Sequence, residues 1–111
     1  ALLTRRVRQG RISYVGTWLD RAGMANVAEW ACAAAAVPMP WGRLPPEIEV
    51  SRRVGPGRDV YVVINHGTEP QDLALPVENA RTISGQAVGA AVRVPPNDVA
   101  VFVAKAGRAG R

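Results

Sequence analysis

Four prolines fall within nine positions, residues 38–46, and the spacing of apolar residues differs on the two sides of that stretch. Before it, Met24, Val27, Ala28, Ala31, Ala34 and Ala35 recur at helical spacing. After it, apolar residues return at every second position, the period of a strand. Proline fixes φ and removes a backbone donor, so neither pattern runs through Pro38, Pro40, Pro45 and Pro46. The chain therefore reads as two parts joined by a stiff linker, residues 38–46.

The first part, residues 1–37, reads as strand, turn, strand, helix. Residues 1–7 form a short extended run. Arg8-Gln9-Gly10 supplies the turn, with Gly10 able to take positive φ at no steric cost. Residues 12–18 make a second strand, rich in β-branched and aromatic side chains. Asp20 stands where an N-cap belongs, with Leu19 and Met24 at the spacing of a hydrophobic staple. Asn26 and Glu29 are expected to point away from the apolar face, and Pro38 to stop the helix. Two strands and a helix of this length bury too little surface to fold alone. The unit reads as the closing strands and last helix of an α/β domain, and the apolar start Ala1-Leu2-Leu3 reads as cut from something longer.

Residues 47–105 read as six short strands in a small antiparallel β-sandwich or barrel. Ile48, Val50 and Val54 share a face, with Arg52 interrupting it. Val60, Val62 and Ile64 alternate with Tyr61 and Val63, so this strand is apolar on both faces, as a central strand is. Leu73 and Leu75, Ile83, Val88 to Val94, and Val99 to Val103 mark the remaining strands. Gly55-Pro56-Gly57, Asn65-His66-Gly67, Gly85 and Pro95-Pro96-Asn97-Asp98 supply the turns. The fold class is thus mostly β, with a strand-strand-helix fragment of an α/β domain in front.

The formal charge is +5, but Lys105, Arg108 and Arg111 sit together at the end of the chain, in or beside a basic tail at residues 106–111. No basic stripe interleaved with aromatics exists, which argues against nucleic acid. No apolar run approaches the roughly 20 residues that span a bilayer. The single cysteine, Cys32, forbids an intrachain disulfide and fits a reducing compartment.

Chemistry is sparse. His66 is the only histidine and Cys32 the only cysteine, which leaves no ligand set for a metal and no expected cofactor. Cys32 reads as packing beside an alanine-rich helical face, and His66 as a hydrogen-bonding residue at a strand end. Glu47 and Glu49 alternate on an outward face, and Asp59, Glu69, Asp72, Glu78 and Asp98 lie in or beside turns. None forms the carboxylate pair of a glycosidase. Trp18, Trp30 and Trp41 read as core or interdomain packing rather than sugar platforms, and all three are assigned to the first part and its linker. Arg5, Arg6, Arg8 and Arg11 crowd one hairpin, where they discourage strand addition or meet acids elsewhere. No catalytic, cofactor-binding or metal residue is assigned.

The run Thr4-Arg5-Arg6-Val7-Arg8-Gln9-Gly10-Arg11-Ile12-Ser13-Tyr14-Val15-Gly16-Thr17-Trp18-Leu19-Asp20 resembles the close of the trimerisation domain in glycoside hydrolase family 42 β-galactosidases. Residues 47–54 and Val60-Tyr61-Val62-Val63-Ile64-Asn65-His66 are similar to the first strands of that family's small C-terminal β-domain. Ser84-Gly85, residues 88–95 and Asn97-Asp98-Val99-Ala100-Val101 resemble its closing strands. The resemblance implies a parent with a (β/α)₈ barrel that hydrolyses terminal non-reducing β-D-galactose with retention, through two upstream glutamates. It implies that Glu29, Glu47, Glu49, Glu69 and Glu78 are not those glutamates. It further implies the rest of that glycosidase as partner, homo-oligomeric assembly as a trimer, and a bacterial cytoplasmic location. Two other readings compete. A stand-alone carbohydrate- or protein-binding β-module requires exposed aromatics, for which the β part offers Tyr61 and Phe102. A small enzyme requires Cys32 or His66 to act.

Overall fold

The computed structural model describes residues 1–106, so Arg108 and Arg111 of the basic tail lie outside the described residues. The chain divides into two compact units between Met39 and Pro40.

In the first unit, β1 (Leu2–Val7) and β2 (Gly10–Val15) form an antiparallel hairpin with Val7 opposite Gly10. The turn differs from expectation. Arg8, at φ 54, takes the left-handed conformation, and Gly10 instead begins β2. β2 ends at Val15, before the expected Trp18, because Gly16 donates to the carbonyl of Ala1 at 2.9 Å and closes the ladder.

α1 (Arg21–Ala34) starts as expected: Asp20 is extended and its carboxylate accepts from the Gly23 amide at 2.7 Å. Its end does not wait for Pro38. Ala36 turns left-handed at φ 53, Val37 donates to Cys32 at 2.9 Å and Ala36 to Ala33 at 3.1 Å. This is the Schellman bond pattern, with alanine where glycine usually sits. The expected apolar face is also corrected. Met24 is 58% exposed, while Val27, Glu29 and Cys32 are half-buried, so Glu29 does not point away from the unit. No residue of this unit is fully buried.

The second unit holds all the buried apolar side chains. β3 (Ile48–Gly55) and β4 (Arg58–Asn65) pair through a Pro56-Gly57 turn, with Gly57 at φ 79 as the third position of a type II turn demands. β8 (Asp98–Lys105) pairs with the other edge of β4, and β6 (Arg81–Thr82) with β8, giving the order β3-β4-β8-β6. β5 (Gln71–Ala74) and β7 (Ala91–Val94) form a separate two-stranded ribbon. All these pairings are antiparallel. Among the described residues the fold is mostly β, with one helix.

Two expected strands shrink. Ile83 lies outside β6, 75% exposed, because Thr82, Ser84 and Gly85 fold into a turn with Gly85 donating to the Thr82 carbonyl. Val88 to Ala90 precede β7, with Val88 donating to Ala80 beside an isolated antiparallel bridge between Arg81 and Ala87 rather than to β5.

The core lies between one face of the four-stranded sheet and the β5–β7 ribbon. Ile48, Tyr61, Val63 and Phe102 come from the sheet, and Leu73 and Val94 from the ribbon. β4 has two unequal faces. Asp59, Tyr61, Val63 and Asn65 are buried, whereas Val60, Val62 and Ile64 are only half-buried. Among the described residues no helix is long and apolar enough to cross a membrane.

Candidate functional site

The most ordered chemistry in the second unit is built on β4, whose inward face carries a polar residue at each end. At one end Asn65 has no exposed surface. Its amide donates to the carbonyls of Glu69 at 2.8 Å, Pro95 at 3.0 Å and Val94 at 3.1 Å, and its side-chain oxygen accepts from the Gly67 amide at 2.9 Å. One side chain therefore ties the turn after β4 to the end of β7. The fit is close: a Cβ on Gly67 would stand 3.1 Å from the Asn65 side-chain oxygen and from Glu47.

At the other end Asp59, beside the turn as expected, is the second residue of β4 and is fully buried. Arg52 reaches it with both Nη2, at 2.6 Å, and Nε, at 3.1 Å. The register explains the pair. Arg52 stands opposite Tyr61, and Asp59 lies one step along the same face, opposite Val54. Arg52 thus does not interrupt the inward face; it supplies the counter-ion for Asp59. The guanidinium pKa is raised, first by the hydrogen bond to Asp59, then by electrostatic interaction with Tyr61, against the opposing effect of desolvation. The second Asp59 oxygen, Oδ1, is buried without a hydrogen-bond partner among the described residues.

Arg52 also lies 6.0 Å from the Tyr61 ring centre. Tyr61 stacks on Phe102 at 5.2 Å and 12°, and Trp41 meets Tyr61 edge-on at 6.2 Å. Trp41 therefore packs on the core of the β unit and does not belong with the first part. Tyr61 and Phe102 are 4% and 1% exposed, so neither offers a face to a sugar. Trp18, by contrast, is 98% exposed, so it is not a core residue of its own unit.

His66 Nε2 contacts Glu49 Oε2 at 3.2 Å on the surface, a hydrogen-bonding position at the strand end. Asp72 pairs with Arg93 at 2.7 Å across β5 and β7. Cys32 is a half-buried free thiol on α1. Among the described residues no three His, Cys, Asp or Glu side chains gather as a metal site would need. In the first unit, Arg6 and Arg11 face each other across the hairpin and line a cleft of about 520 Å³ with Gln9, Ser13 and Trp30. Ala31 and Ala34 of α1, its C-cap Ala35, and Gly10 at the start of β2 complete the lining.

The family described as β-galactosidase C-terminal domain matches residues 47–104. The chain belongs to that family. No curated protein matches the chain. Three solved structures share its fold. The β-galactosidase of Bacillus circulans sp. alkalophilus matches 93% of the chain with TM-score 0.81 and 21% identity. The cold-adapted β-galactosidase of Rahnella sp. R3 matches 95%, with TM-score 0.78 and 17% identity. A catalytic mutant of Gan42B, a GH42 β-galactosidase from G. stearothermophilus, matches 95%, with TM-score 0.81 and 16% identity. The chain spans only 15%, 15% and 16% of those three chains. For this β-galactosidase C-terminal domain, Asn65 and the Arg52–Asp59 pair are the residues on which the architecture turns. Of these, Arg52 carried a signal in the sequence, as a cation on an otherwise apolar strand face.

Proposed function

We propose that the chain is the non-catalytic C-terminal region of a cytoplasmic β-galactosidase and serves assembly and stability. On this reading the parent hydrolyses terminal non-reducing β-D-galactose with retention in an upstream barrel, and works as a homo-oligomer, a trimer. The observation that carries the reading is the match to the β-galactosidase C-terminal domain across the β unit. The polar side chains of that unit support it, because the buried ones are engaged in holding the fold. Asn65 spends its amide on backbone carbonyls, and Asp59 is sealed on Arg52.

The first unit supports a role in assembly. Leu3, Ile12 and Tyr14 share one face of the hairpin by register and are 66%, 63% and 67% exposed. Apolar surface of this kind is characteristic of contacts made elsewhere in a larger protein. The test is direct. The purified 111-residue chain is expected to leave an aryl β-galactoside intact, while the longer polypeptide encoded by its reading frame hydrolyses it. Turnover by the short chain, or none by the longer one, contradicts the proposal.

A further inference from the structure

The four-stranded sheet has a second apolar face outside the core, one that no other element among the described residues of the unit packs against. The register sets Val60 opposite Val103, Val62 opposite Val101 and Ile64 opposite Val99. All six point away from the core, because the alternate residues of β4 and β8, such as Tyr61, Val63, Phe102 and Ala104, fill it. None of the six is in the core cluster or among the side chains packed on it. Five of them are half-buried and the sixth, Val99, is 48% exposed. A sheet face turned to water normally carries polar residues at these positions. β3 obeys that rule with Glu49, Ser51 and Arg53, the direct neighbours of Ile64, Val62 and Val60. β4 and β8, the two middle strands, break it.

Charge around this platform is segregated. Arg53 and Arg81 flank the Val60–Val103 pair, and Arg58 and Lys105 form the next row. None of these four cations has a carboxylate partner among the described residues. At the opposite end of the platform stands Glu49, engaged with His66.

We propose that this valine platform is covered by another part of the polypeptide to which the chain belongs, an apolar element bearing carboxylates over the Arg53, Arg58, Arg81 and Lys105 end. The inference rests on reading the chain as one region of a larger β-galactosidase. Area selects this occupant. With strands about 4.8 Å apart and about 3.3 Å per residue, three facing pairs make a platform of about 200 Å². A stable complex of separate proteins buries roughly 800 Å² on each partner. A contact so small persists only when a covalent tether raises the effective concentration. In the solved relatives the matched part is 15–16% of the chain, so ample polypeptide lies outside it. Charge agrees, since a second copy of this face brings only Glu49 to answer four cations.

Hydroxyl-radical footprinting read by mass spectrometry tests the proposal without altering the protein. The side chains of Val62, Ile64 and Val101 are compared in the 111-residue chain and in the longer polypeptide encoded by its reading frame. They are expected to react several-fold more slowly in the longer polypeptide, as half-buried side chains become fully buried. Equal rates in an active β-galactosidase overturn this inference and leave the functional reading standing. A longer polypeptide without galactosidase activity overturns both. Protection already present in the short chain, dependent on its concentration or not, assigns the platform to a second copy or to the chain's own first unit and overturns the proposal.

Discussion

Asn65 is the residue on which the β unit depends most visibly, since four backbone groups from three places in the chain meet on its side chain. Replacing it with alanine strands those groups in a buried corner. Asn65→Ala is expected to cost about 2–3 kcal/mol, and Asn65→Asp nearly as much, because an aspartate keeps the acceptor for Gly67 but loses both donors. Urea unfolding followed by near-UV circular dichroism, where Tyr61, Phe102 and Trp41 contribute, reads the change. A loss below about 0.5 kcal/mol in both variants contradicts the account. Asparagine before a turn is so common that sequence alone gives no sign of burial here. The Arg52–Asp59 pair was half legible. A cation on the face of Ile48 and Val50 demands a partner on the same face, but the partner's position depends on register. Register in turn depends on a two-residue turn at Pro56-Gly57, with Gly55 opposite Arg58.

At the scale of elements, the caps and turns were read most securely where their chemistry is local. Asp20 closes the start of α1 through a contact three residues away, and Gly57 supplies the positive φ of its turn. The end of α1 was misjudged because proline is a loud stop signal and Ala36 a silent one. An alanine held left-handed pays a steric cost that glycine does not. Ala36→Gly is therefore expected to stabilise α1 by about 0.5–1 kcal/mol, seen as a higher melting temperature of the helical circular dichroism signal. Gly57→Ala is expected to act oppositely, costing about 1 kcal/mol or more at φ 79 although no atom lies within 4 Å of the added Cβ. Its readout is the midpoint of urea unfolding. If Gly57→Ala is neutral, the turn is not held in its type II form. The strands of the β unit were legible from alternation, yet β6 and β7 came out shorter than the apolar run. Thr82 and Ser84 spend their hydrogen bonds on a turn there, and Val88 donates to Ala80 beside the isolated bridge between Arg81 and Ala87.

Over the whole molecule, burial is unevenly shared. Every fully buried apolar side chain lies in the second unit, and the first has none. The backbone hydrogen bonds of β1, β2 and α1 are thus poorly shielded, and their amides are expected to exchange with solvent well before those of β4 and β8 in the 111-residue chain. Exchange at one common rate across both units contradicts this. The two-part organisation was legible because proline density and a change of period are local features. The bare outer face of β4 and β8 was not, because a strand apolar on both sides reads the same whether its second face is covered or open. The most direct test of a structural rather than chemical role uses Asn65→Ala in the longer, active polypeptide. Both kcat/KM on an aryl β-galactoside, at a temperature where the enzymes stay folded, and the half-life on heating are measured. The account expects kcat/KM within about twofold of the parent enzyme and a clearly shortened half-life. A large fall in kcat/KM with an unchanged half-life contradicts it and places this region in the chemistry.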